Sequence, residues 1–172
     1  MLTIIILINK IKKGLPQVKK FKLPTVVLTA LVFLLSGCST VNYIVPPSTD
    51  LKFNVAEDVN PDINGRPSPV VIKVFELSSK AVFDTQDFFS LYGDAEKVLG
   101  PDLLKKDEVE LQPGQEFKYE MTLDKNTRFI GVVVAYRDID KAKWRGVVEA
   151  DPTGYDSVRV NVESIATYLK EE

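Results

Sequence analysis

The chain has 172 residues, 22 Lys+Arg against 24 Asp+Glu, one Cys and no His, for a formal net charge of −2. Without His there is no Ser-His-Asp triad, no imidazole metal ligand and no member of the commonest class of general base. A single Cys excludes an intrachain disulfide, so a hydrophobic core must hold the fold.

The first element is an export signal. Lys10, Lys12, Lys13, Lys19, Lys20 and Lys22 precede the apolar stretch Leu23 to Leu35, which ends in Leu34-Leu35-Ser36-Gly37-Cys38. A basic segment, an apolar segment and small residues before a cleavage point form a secretory signal. Leu-Ser-Gly-Cys is a bacterial lipobox, so residues 1–37 are expected to be removed and Cys38 to carry the lipid. No cofactor is expected beyond that covalent lipid. The apolar stretch falls short of the about 20 residues a spanning helix needs. Multiple acyl chains anchor stably, since each buried methylene contributes about 0.8 kcal/mol. Ser39 stands where bacterial lipoproteins retained in the inner membrane carry Asp, so the periplasmic face of the outer membrane is the expected location. Met1 to Ile8 is a second apolar run, as an over-extended start site would produce.

Six of the basic residues and none of the acids precede Cys38, leaving 16 basic against 24 acidic groups, a net of −8. An acidic domain with no basic stripe argues against nucleic acid and against electrostatic binding to anionic lipid. Residues 38–49 (Ser39 to Thr49 reading STVNYIVPPST) form a tether with Pro46-Pro47 and no clear period. Extended at about 3.3 Å per residue, it reaches roughly 36 Å.

Residues 50–172 read as one domain. Leu51, Phe53 and Val55 alternate with Lys52, Asn54 and Ala56, and Val70 to Leu77 is a dense β-branched run. Ser79 to Leu104 breaks the pattern. Asp84 or Thr85 can cap a helix carrying Phe88, Phe89, Leu91 and Tyr92 and ending at Gly93; Asp94 can cap a second turn stopped by Gly100-Pro101. Glu108 to Leu111 ends in the turn Pro113-Gly114. Phe117, Tyr119, Met121 and Leu123 alternate with polar residues. Arg128 to Tyr136 has a core, Ile130 to Ala135, that looks buried on both faces. Trp144 to Ala150 and the alternating Val158, Val160 and Val162 complete the set. About seven short strands separated by turns indicate an antiparallel β-sandwich with a helical insertion at about 79–104.

The search for chemistry is largely negative. There is no Gly-x-Ser-x-Gly, Ser-x-x-Lys or phosphate-binding glycine loop. Ser78-Ser79-Lys80 reads as a helix start. Asn60 to Gly65 mimics the first half of a calcium loop, but the twelfth position is Val71 and Arg66 brings a positive charge. Arg137-Asp138-Ile139-Asp140 reads as a turn with a local Arg–Asp pair rather than an acid pair. Trp144-Arg145 suits either a core position or an interface anchor.

Asn60 to Pro69 (NPDINGRPSP) is longer than a hairpin needs, where about two to five residues suffice. Three prolines stiffen it, and a stiff exposed loop loses little entropy on binding. In this loop Asn60-Pro61-Asp62 and Gly65-Arg66-Pro67-Ser68-Pro69-Val70-Val71 lead into Val74-Phe75-Glu76-Leu77. Then come Asp87-Phe88-Phe89-Ser90-Leu91-Tyr92, Leu99-Gly100, Leu111-x-Pro113-Gly114, Ile130-Gly131-Val132-Val133-x-x-Tyr136-Arg137-Asp138 and Trp144-Arg145. This ordered set, with the lipobox, resembles the type VI secretion system lipoprotein family (TssJ, also called VasD or SciN). Phe75-Glu76 departs from it, since a Tyr-Gln type pair is common there.

The resemblance implies a transthyretin-like sandwich and a non-enzymatic role in a trans-envelope complex anchored to the outer membrane. The implied partner is the periplasmic C-terminal region of the inner-membrane TssM (IcmF-like) protein. The family makes that contact through the loop between the first two strands, here Asn60, Asp62, Ile63, Asn64, Gly65, Arg66 and Pro67. A lipoprotein chaperone or pilotin for another envelope assembly is the alternative, and a hydrolase or ligand binder on the same sandwich is a second.

Overall fold

The computed structural model describes residues 48–172. The signal, Cys38 and all but the end of the tether lie outside the described residues.

Among the described residues, eight strands form two four-stranded sheets. The first sheet holds β1 (Ser48–Val55), β4 (Glu116–Met121), β7 (Tyr155–Val162) and β8 (Thr167–Glu171), in the order β4-β1-β7-β8. The second holds β2 (Val70–Leu77), β3 (Leu103–Leu111), β5 (Phe129–Ala135) and β6 (Arg145–Glu149), in the order β3-β2-β5-β6. This is the β-sandwich the alternation predicts, with three refinements. First, β1 runs parallel to β7. Alternation shows which face a residue takes but not which way its neighbour runs. Second, β1 and β2 lie in different sheets, so Asn60–Pro69 spans a crossover between layers and its length follows from that. Third, the strand Thr167–Glu171 is additional to the seven expected. It turns only Thr167 and Leu169 inward, too weak a pattern to stand out.

The core follows from period two. Leu51, Phe53 and Val55 from β1 and Val158, Val160 and Val162 from β7 face Val70, Ile72 and Val74 from β2 and Ile130, Val132 and Val134 from β5, all buried. Each such side chain contributes about 1.5–3 kcal/mol on leaving water. β2 and β5 are buried on their other face as well, where Phe75, Leu77 and Val133 meet the helices.

Those helices are α1 (Ala81–Thr85) and α2 (Phe88–Leu99). The cap of α2 is Asp87, whose carboxylate accepts from the Ser90 N–H at 3.0 Å and the Ser90 hydroxyl at 2.7 Å. Gly93 does not end the helix. The chain kinks at Asp94 and continues to Gly100, because Leu91, Ala95 and Leu99 bury one face on both sides of the kink. Phe83 of α1 sits on Gly131, where an added Cβ would stand 2.7 Å from the ring. Arg145 caps α1, donating to the Phe83 and Gln86 carbonyls at 2.9 and 2.8 Å.

One seam of the sandwich closes where β6 meets β8: Leu169 packs on Gly146, and Lys143 bridges Ala166. At the other seam the Tyr119 hydroxyl of β4 donates to Asp107 of β3 at 2.6 Å. Burial, then the Asp107 carboxylate, push the phenol up to about 12. Glu76 is buried on β2, and its carboxylate accepts from the Asp124 N–H and the Thr127 hydroxyl, both at 3.0 Å. It ties the β4–β5 connection to the sheet.

Candidate functional site

The β1–β2 connection is a pinned loop. At its base Asn60 is buried and adopts a left-handed φ of 51°. Its amide nitrogen donates to the Pro69 carbonyl at 2.8 Å, and its side-chain oxygen accepts from the Arg137 N–H at 2.8 Å. Its own N–H donates to the Ser164 carbonyl at 2.9 Å. Asn60 therefore fastens the loop to the β5–β6 connection and the β7–β8 turn at once. Ser68 is buried beside it and accepts from Arg137 Nε at 3.3 Å.

The tip closes on itself. The Asp62 N–H donates to the Arg66 carbonyl at 2.8 Å, and the Gly65 N–H returns to the Asp62 carbonyl at 2.9 Å. Gly65 takes φ +76°, which L side chains avoid. The Asp62 carboxylate accepts the N–H groups of Asn64 and Arg66 at 2.8 and 3.0 Å. It also holds the Arg66 guanidinium through Nε at 2.8 Å and Nη2 at 2.7 Å. These bonds, those from Arg66 foremost, keep the carboxyl below its ordinary 3.8. With Asp62 so engaged, Ile63 stands 101% exposed at the apex. Pro67 is exposed on the returning limb.

Of the seven loop residues singled out in the sequence, Asp62, Ile63, Asn64, Gly65 and Arg66 build one tip. Pro67 flanks it, and Asn60 lies underneath as its support. A groove beside the tip is lined by Pro61, Asp62, Ile63, Arg137, Asp138 and Lys141. The local Arg137–Asp138 pair expected from sequence does not form. Arg137 turns to Ser68, and Asp138 pairs with Lys141 at 2.7 Å. Trp144 is half-buried against Phe88, edge to face at 5.4 Å, and Arg145 is spent on helix carbonyls, so this pair holds α1 and α2 in place. Among the described residues no three His, Cys, Asp or Glu side chains converge as a metal site would require.

Sequence reading missed a basic row. Lys118, Lys52, Arg159 and Lys170 are cross-strand neighbours on β4, β1, β7 and β8, one from each strand, on the outer face of the first sheet. Residues so far apart in the chain form no run, so linear inspection finds no stripe. Like charges directly opposite one another are unfavourable, and adjacent acids relieve them. Asp50 pairs with Lys118 at 2.8 Å and Glu172 with Lys52 at 2.6 Å, and Glu172 also binds Arg159. Asp50 and Glu172 thus pair three of the four cations in place.

With this geometry the chain can be set beside known proteins. The family profile described as "T6SS-SciN: Type VI secretion lipoprotein, VasD, EvfM, TssJ, VC_A0113" matches residues 47–165. No curated protein sequence matches significantly. Solved structures do. The T6SS lipoprotein TssJ1 from Pseudomonas aeruginosa is 32% identical, with a TM-score of 0.71 over 74% of this chain and 97% of that one. Serratia marcescens Lip, described as a membrane-bound component of the type VI secretion system, is 29% identical, with a TM-score of 0.67 over 74% of this chain and 99% of that one. A chain from a structure described as "T6SS protein TssM C-terminal domain (869-1107) from EAEC" is 26% identical, with a TM-score of 0.62 over 72% and 97%. The chain belongs to the type VI secretion lipoprotein family, the TssJ/VasD/SciN group.

Proposed function

We propose that this lipoprotein is anchored through Cys38 to the periplasmic face of the outer membrane and tethers the periplasmic C-terminal region of a TssM (IcmF-like) inner-membrane protein. The loop tip Asp62–Arg66 is the contact, with Pro67 at its flank and Asn60 as its support. The observation that carries this reading is Ile63, a large apolar side chain fully exposed at the apex of a loop whose own bonds leave it little freedom. Such a residue gains from burial and costs little entropy to immobilise.

Topology supports the division of labour. The chain enters β1 at Ser48 and leaves it at Val55 for the loop, about 23 Å further along at the rise of a strand. The tip therefore lies at the end of β1 away from its first residue. The family is one of lipoproteins, and one similar chain comes from a structure described by its TssM C-terminal domain. The role is structural rather than enzymatic: the tip's one carboxylate is spent on Arg66 and the loop N–H groups, and Asp138 on Lys141.

Co-purification from envelope extracts tests the reading. The tagged wild-type protein should bring down the TssM-like protein, and Ile63→Asp should not. Equal recovery would contradict the assigned contact, and capture of an outer-membrane subunit instead would favour an escorting role.

A further inference from the structure

The groove beside the loop tip holds one cation whose donors are unspent. Arg137 lines it together with Pro61, Asp62, Ile63, Asp138 and Lys141. Its main-chain N–H is held by the Asn60 side chain at 2.8 Å, and its Nε donates to the buried Ser68 hydroxyl at 3.3 Å. The backbone and the near end of the guanidinium are therefore fixed. Nη1 and Nη2 have no hydrogen-bond or ion-pair partner among the described residues.

The acids around this side chain are taken. Asp62 closes on Arg66 and on two loop N–H groups, so both of its oxygens are engaged. Asp138 pairs with Lys141 at 2.7 Å, and Asp140 acts on the same ammonium. Arg66, Arg137 and Lys141 balance Asp62, Asp138 and Asp140 in number, so unspent donors, not net charge, select the ligand. A guanidinium presents its N–H groups in a fixed planar fork, and its terminal nitrogens match the paired oxygens of a carboxylate. Ser68 occupies Nε, so the open approach is end-on, across Nη1 and Nη2. Ile63, fully exposed, borders the same groove. An apolar anchor beside an ordered polar fork gives one contact that supplies affinity and one that fixes orientation. A bilayer would press a continuous anionic surface against Asp62, Asp138 and Asp140 as well, whereas one side chain of a protein meets Arg137 alone.

We propose that the groove receives an Asp or Glu side chain of the protein that the loop tip engages, its carboxylate bridging Nη1 and Nη2 of Arg137 beside the socket that buries Ile63. This rests on the loop reading above and adds to it the chemistry of the partner's surface. The test titrates the full-length protein in detergent with the periplasmic C-terminal region of the proposed TssM-like partner. Arg137→Gln keeps the main-chain bond to Asn60, so its melting should match the wild type, while its affinity should fall by about tenfold. Ile63→Ala should weaken binding to a similar degree. If Ile63→Ala weakens binding and Arg137→Gln stays within about twofold, the carboxylate contact is wrong and the loop reading stands. If neither weakens it, both are wrong. If only Arg137→Gln does, the apex is not a contact, and the loop reading and this inference fail together. A charge swap identifies the ligand. Arg137→Glu should bind the wild-type partner region poorly, and should recover to within about threefold of wild type with one partner variant in which a single Asp or Glu is replaced by Lys. The swap also decides the matter if Arg137→Gln melts early, since a folding defect in this chain is not repaired by a change in the partner. A scan of the partner's carboxylates that restores nothing would overturn the inference.

Discussion

Asp62 grips the guanidinium of Arg66, Oδ2 lying 2.7 Å from Nη2 and 2.8 Å from Nε, while its other oxygen receives two backbone N–H groups of the same loop. One side chain therefore sets the shape of the whole tip. The exposed ion pair adds little to global stability, but it decides how much order the loop must gain on meeting a partner.

That arrangement gives a pH signature. The folded-state pKa of Asp62 is depressed below 3.8, so its contribution to loop order is complete above that value and is lost as pH falls through the lower folded pKa. Amide shifts of Asn64 and Arg66 should stay flat from neutral pH down to about 4 and move together below it. A titration centred above the ordinary Asp value would contradict the pairing.

The loop base is where stability resides. Asn60→Ala leaves the Arg137 N–H and the Pro69 carbonyl without their partners and keeps the strain of a left-handed φ. The loss should be about 2 kcal/mol, read by urea unfolding. A change below about 0.5 kcal/mol would mean water replaces both bonds.

Gly131→Ala tests the seat of α1. The new methyl would press on the buried Phe83 ring, itself packed on Phe75 at 5.7 Å. Overpacking of this kind costs about 1–3 kcal/mol. Adding Phe83→Leu should recover part of that loss, whereas additive losses would place the strain elsewhere.

If the proposed lipid anchor is right, Cys38→Ser should abolish acylation and release the protein from the membrane fraction. Metabolic labelling with a fatty-acid analogue reads this directly. A wild-type chain that takes no label would contradict the lipobox reading.

Much of this was legible in the sequence, and the exceptions share a cause. Period two located most strands of both sheets, as in Leu51-Phe53-Val55 and Val158-Val160-Val162, because alternation reports burial, but Thr167–Glu171 turns too few side chains inward to show it. It could not report adjacency. The parallel pairing of β1 with β7 and the row Lys118–Lys52–Arg159–Lys170 exist only once strands are placed side by side. Gly93-Asp94 looked like a helix end because local propensity favours one, but burial of Leu91, Ala95 and Leu99 outweighs it. Glu76, inside a β-branched run, gave no sign of being a buried strut, since its partners Asp124 and Thr127 lie far along the chain. For the loop, proline content signalled stiffness. Folding alone separates Asn60, buried as a support, from Ile63, exposed at the apex.

The most direct measurement is a calorimetric titration of the full-length protein in detergent with the periplasmic region of the proposed TssM-like partner. The wild type is compared with a chain in which Asp62–Arg66 is replaced by a short Gly-Ser turn. Because the tip's bonds are internal to it and the base is held by Asn60 and Ser68, the variant should melt within a few degrees of the wild type. Its affinity should fall by well over tenfold, about 1.4 kcal/mol or more. Unchanged affinity with an intact fold would contradict the account and move the interface off the β1–β2 loop.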